Sequence, residues 1–168
     1  LKDNQSSNYV VTVGENRIQD AILMVLCLRE QDVQFKVKTT FELEPTHLKW
    51  VQVTEQNAAA ACVYEVLELF SQNTLSNMSI SDATFLCGTR KLGFEFVKAM
   101  GSKGIKTVHT FDADDKESRR QKVGFYMGDA RVKATTLHSF KGWEARILVV
   151  YVGGKINRKN LALIYAGL

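Results

Sequence analysis

The chain has 168 residues, with 22 Lys and Arg against 18 Asp and Glu, a formal balance of +4. That length carries one domain with a sizeable core, and apolar and charged shares of 45% and 24% exclude a disordered or collagen-like chain. No apolar run approaches the ~18–20 residues of a membrane span, and the mild basic excess is compatible with a phosphate-bearing partner.

In chain order, Tyr9–Val13 reads as a short strand. ENRIQDAILMVLCLREQ follows with Ile18, Ile22, Val25 and Leu26 at helical spacing. Gln34–Phe41 alternates Phe35, Val37, Thr39 and Phe41, a strand pattern, and Leu48–Val53 alternates again. The region from Gln34 to Val53 is less regular than the rest and suits a sheet edge. EQNAAAACVYEVLELFSQ is a strong helix, with Val63, Val66, Leu67 and Phe70 on one side. NTLSNMSISD is a polar loop, and ATFLCG is a buried strand. RKLGFEFVKAMGSKG repeats Leu92, Phe96 and Met100 at helical spacing, and Gly101 or Gly104 can end that helix.

IKTVHTF is the next strand. DADDKESRRQKVGFYMGD runs from acids to bases, the charge order that suits a helix dipole. Two apolar strands follow, Val132–Leu137 and Ile147–Val152, and a last helix begins near Asn157. Strands alternate with helices from Ala83 onward, and several are continuously apolar. The fold class expected is α/β: a largely parallel sheet with helices on both faces, in a single domain over residues 1–168. The opening LKDNQSSNY lacks the parts of a signal peptide, and Cys27, Cys62 and Cys87 sit far apart without a CxxC. Buried free thiols and a cytoplasmic location are the expectation. The start without Met and the stop at LIYAGL suggest a fragment of a longer protein.

The loop between the last two strands, TLHSFKGWE, holds the densest chemistry. Ligands of parallel α/β sheets collect beyond the carboxyl ends of strands. Thr136 and His138, two apart on a strand, should leave the same face. Ser139 can cap a helical turn or bond a phosphate, Lys141 is a movable cation, Gly142 allows a close backbone approach, and Glu144 can accept from a sugar hydroxyl. These groups suit a phosphodiester backbone or a nucleotide. The bland alternative is a polar strand-to-helix loop in which His138 satisfies a local carbonyl.

The order of these residues resembles the T-x-H-x-x-K-G-x-E stretch, motif V, of UvrD/Rep/PcrA-type superfamily 1 helicases. Thr136, His138, Lys141, Gly142 and Glu144 all match, while Trp143 replaces the usual Leu. The resemblance implies a RecA-like (P-loop NTPase-like) fold and the second such domain of an ATP-dependent helicase. Thr136, His138 and Ser139 would then face single-stranded DNA or RNA. Gly142 and Glu144 would belong to the ATP site, with Lys141 serving there or at the strand, and Trp143 would pack, with base stacking as the second option.

ENRIQDAI is similar to the family's N-Y-R-x-x-x-x-I segment. That makes Arg17 the catalytic, γ-phosphate-binding arginine, with Asn16 where the family stacks adenine on a Tyr. Residues Ser81–Phe111 look like the family's strand–helix–strand unit, and Arg90 and Lys91 at its helix start would bind the strand's phosphates. NRKNLALIYAGL resembles the run-up to motif VI, truncated before its arginine, and about twenty residues between Phe111 and Val132 leave no room for an accessory-domain insertion.

No G-x-x-x-x-G-K-[ST] is present, so ATP and Mg²⁺ would be held only with an upstream RecA-like domain, and the segment by itself should be inactive. No protein metal site is expected, and DADDKES reads as a charged helix start. Two rivals stand beside the motor. One is a non-catalytic nucleic-acid or protein-binding module of the same fold, for which Asn16 speaks. The other is a dinucleotide enzyme using YVGGKIN, which lacks G-x-G-x-x-G.

Overall fold

The structure, a computed structural model, describes residues 8–13, 48–71, 78–112, 114, 120, 121, 123 and 125–153. Arg17, Asn16, Cys27, the helix expected around Ile18–Leu26, the strand expected at Gln34–Phe41 and everything from Gly154 onward, including the helix near Asn157, lie outside the described residues.

Strand β1 spans Asn8–Val13 and β2 spans Leu48–Val53; after a 3-10 turn at Glu55–Asn57, helix α1 spans Ala58–Ser71. A second 3-10 turn, Ile80–Asp82, leads into β3, Ala83–Cys87, and α2 follows at Arg90–Ser102. Then come β4 at Thr107–His109, β5 at Val132–Thr136, the short α3 at Leu137–Phe140 and β6 at Ile147–Val152.

The six strands form one sheet in the order β2-β1-β6-β3-β5-β4. β6, β3, β5 and β4 are mutually parallel, while β1 is antiparallel to both β6 and β2. The sheet is therefore mixed: a four-stranded parallel body extended by an antiparallel β1–β2 margin. Among the described strands β2 lies at one edge.

Alternation along the parallel strands sorts the core. Ala83, Phe85 and Cys87 of β3, Val132 and Ala134 of β5, and Ile147 and Val149 of β6 form one cluster with α1 and α2. Phe85 stacks on Phe96 of α2 with ring centroids 4.0 Å apart. Leu86, Leu148, Val150 and Val152, pointing the other way, are buried as well, so both faces of the sheet are covered.

Helix α2 buries Leu92, Phe96 and Met100 as its spacing predicts. It closes with Gly104 at φ +75, where Ile105 N–H reaches Met100 C=O at 3.1 Å, so the second of the two candidate glycines makes the stop. Gly93 faces Phe111 so closely that a Cβ there would sit 2.5 Å from the ring.

Helix α1 departs from expectation in detail. Its buried stripe is Ala58, Cys62, Val63, Val66 and Leu69, with Leu67 and Phe70 at the margin, and it includes Glu65. That carboxylate is only 3% exposed and pairs with Lys49 of β2 at 3.0 Å; Lys49 also bonds Glu68. The ion pairs fasten the edge strand to the helix. Among the described residues no helix is long and apolar enough to cross a membrane.

Candidate functional site

The parallel strands deliver their ends to one rim of the sheet. Gly88 follows β3, Thr110 follows β4, and Thr136 closes β5. Together with Arg90, His138 and Ser139 they line a cleft of about 270 Å³. This is the carboxyl edge, where parallel sheets leave ligands unobstructed access to loop side chains.

The strand–turn transition at Thr136 shapes the cleft. Thr136 is extended (φ −84, ψ 152) and is the N-cap of α3, its Oγ1 accepting from Ser139 N–H at 3.3 Å and donating to Ser139 Oγ at 3.1 Å. Two sequence expectations are corrected here. The strand stops at Thr136, so strand alternation does not extend to His138; the helical turn is what carries His138 to the cleft. The capping residue is Thr136, and Ser139 is the residue capped.

Leu137 and Phe140 are buried and anchor the underside of the turn, leaving His138 exposed and Ser139 half-buried. Gly142 then takes φ +86, a left-handed conformation that disfavours any side chain, and Trp143 N–H bonds Phe140 C=O at 2.9 Å.

This turn divides the loop. Thr136, His138 and Ser139 line the cleft, whereas Lys141, Gly142 and Glu144 are exposed beyond it. Arg90 opens α2 and donates through an η-nitrogen to Asp112 C=O at 3.0 Å, which holds the guanidinium at the rim. Lys91 is exposed and does not line the cleft. Below the rim, Thr110 and Thr135 hydroxyls bond at 2.6 Å in a buried contact that ties the exit of β4 to β5.

A second compartment of about 230 Å³ adjoins the first, sharing Thr110, His138 and Ser139 and adding Phe125 and Trp143. Phe125 meets Trp143 at 6.0 Å and 88°. No carboxylate lines either compartment among the described residues, and Arg90 is a permanent cation. The pair of compartments is therefore suited to an anionic group beside a flat apolar one.

Gly88 and Thr110 were missed in the sequence, although each follows a recognisable strand and the carboxyl-edge rule points to such positions. Phe125 carries no local signal. The two described cysteines are free and buried; burial pushes the Cys62 thiol up, and the Cys87 thiol up to about 12, so neither is a nucleophile at neutral pH. Among the described residues no group of three or more His, Cys, Asp or Glu is placed to hold a metal. No family model matches the chain, and neither a curated protein nor a solved structure matches it.

Proposed function

We propose that the chain is the second RecA-like domain of a cytoplasmic superfamily 1 DNA or RNA helicase, gripping single-stranded nucleic acid at the carboxyl-edge cleft. One observation carries the reading: the front half of the T-x-H-x-x-K-G-x-E stretch lines a cleft together with Arg90, and no carboxylate lines it among the described residues. A strand held there through phosphates gains from the guanidinium and from hydroxyl and imidazole hydrogen bonds, with little base preference and strong salt dependence. The parallel body, with its loops gathered on one rim, supports a RecA-like assignment.

Lys141, Gly142 and Glu144 line neither compartment, which supports a separate role for them at ATP, while Trp143 between them stays on the strand side. Lys141 and Glu144, exposed on either side of Gly142 and Trp143, fit half of a nucleotide site completed by another domain. ATP bound there supplies phosphoryl-transfer free energy; this chain's share is to bind and orient, with Lys141 toward phosphate and Glu144 toward a ribose hydroxyl. Arg17 is assigned the γ-phosphate contact by resemblance alone.

The test has two parts. Anisotropy titration of a labelled oligothymidine should give weaker binding for His138→Ala with unchanged thermal stability; equal affinity at moderate salt would sink the strand role. In the full-length protein, strand-stimulated ATPase should fall for Arg17→Ala and Glu144→Ala, and wild-type rates in both would remove the nucleotide roles.

A further inference from the structure

The cleft has two chemically different halves that share a wall. Gly88, Arg90 and Thr136 belong to the polar half, and Phe125 and Trp143 to the aromatic half; Thr110, His138 and Ser139 belong to both. A phosphate bound by the polar half would have its own nucleotide's flat base, or that of the next, at the aromatic half. We infer that Trp143 is a base-stacking residue, and that the aromatic compartment seats one nucleobase of the strand whose phosphate occupies the polar one. The inference rests on the strand-binding reading and adds to it a second kind of contact, to a base and not to the backbone.

Three features carry it. Trp143 is 39% exposed, so part of its indole is open to a ligand, while its neighbour Phe125 is 4% exposed and fixed in the protein. The right-angle contact between them braces the indole against rotation and so lowers the ordering cost of stacking. The turn also holds Trp143 in register with His138 and Ser139, because Gly142 reverses the chain and Trp143 N–H bonds back to Phe140. Every base presents a π-face, so such a seat adds affinity without reading sequence.

The experiment compares two oligonucleotides of one length on the same protein: oligothymidine, and a counterpart with an abasic tract. Wild type should prefer oligothymidine by about tenfold or more, the size expected of one base–aromatic stack. Trp143→Ala should lose that preference by weakening oligothymidine alone, and Trp143→Phe should keep most of it. Equal wild-type affinity for the two overturns the stacking role while the backbone grip stands. Equal weakening of both by Trp143→Ala, or equal effects of the Ala and Phe variants, also overturns it. Binding of neither oligonucleotide by wild type removes the strand-binding reading and this inference with it.

Discussion

The two ends of the parallel strands use similar polar residues in opposite ways. At the amino ends the groups bond to one another. Ser79 caps the turn before β3, Asp82 returns a 2.7 Å bond to Ser79 N–H, Arg146 pairs with Asp82 at 3.8 Å, Lys133 Nζ donates to Ser81 C=O, and Arg131 forks onto Asp129. At the carboxyl ends the corresponding positions hold Gly88, Arg90, Thr110, Thr136, His138 and Ser139, which leave a cleft between them. One end closes its polar groups on one another and ties neighbouring strands together; the other arranges its polar groups around an open cleft, with His138 exposed at its rim.

That contrast predicts separable phenotypes. The largest effect belongs to the open end: Arg90→Ala should weaken oligonucleotide binding tenfold or more, as expected for loss of a charge-assisted phosphate contact, and should lower the salt slope by about one. A melting shift with unchanged affinity would instead put Arg90 with the structural set.

Gly93→Ala probes the support of that end. The added Cβ meets the Phe111 ring, which is fully buried and stacked on His109, so it should cost about 1–3 kcal/mol in denaturant unfolding. An unchanged midpoint would mean that α2 shifts freely on the sheet. At the closed end, Asp82→Ala should cost about 1 kcal/mol of stability through the lost capping box and leave strand affinity intact. A loss of affinity there would break the contrast.

A smaller effect tests His109, on the edge strand β4 below the cleft. Burial pushes its imidazole below the ordinary value of 6.5. As pH falls through 6.5 the unfolded imidazole takes up a proton before the folded one, so stability falls on acidification and levels off below the folded pKa. His109→Phe should flatten the midpoint between pH 7.5 and 5; an unchanged slope would show that another group sets it. The smallest expected signal is no reaction at all: Cys62 and Cys87 should resist a thiol reagent in native protein at neutral pH and react on unfolding.

Local periodicity made most of the described elements legible. Helix α2 announces itself through Leu92, Phe96 and Met100, β6 through an unbroken apolar run and β3 through a largely apolar one, because those patterns depend only on near neighbours. What needed a distant partner stayed hidden. β1 reads as a strand, yet nothing in it says that it runs antiparallel to β6; Glu65 looks like a solvated helix residue until Lys49 of β2 arrives beside it.

The same division holds at the site. Thr136, His138 and Ser139 were visible as an ordered set, and Arg90 as a helix-start cation. Gly88, Thr110 and Phe125 join them only because separate chain segments meet at one rim. Thr136 and His138 do reach one cleft, but through a helical turn and not through strand alternation: a hydroxyl at the strand end that can bond the third residue onward starts such a turn.

The position of β1 has a consequence for biosynthesis. Of the described strands it is the first in the chain and its neighbour β6 the last, and the rest of the parallel body lies between them. On a ribosome β3, α2, β4 and β5 can emerge and begin to associate while β1 still waits for one of its two ladder partners. Such deferred, long-range pairing slows folding and prolongs the exposure of an apolar strand edge, so nascent chains of this protein should depend on chaperones more than the stability of the finished sheet would suggest.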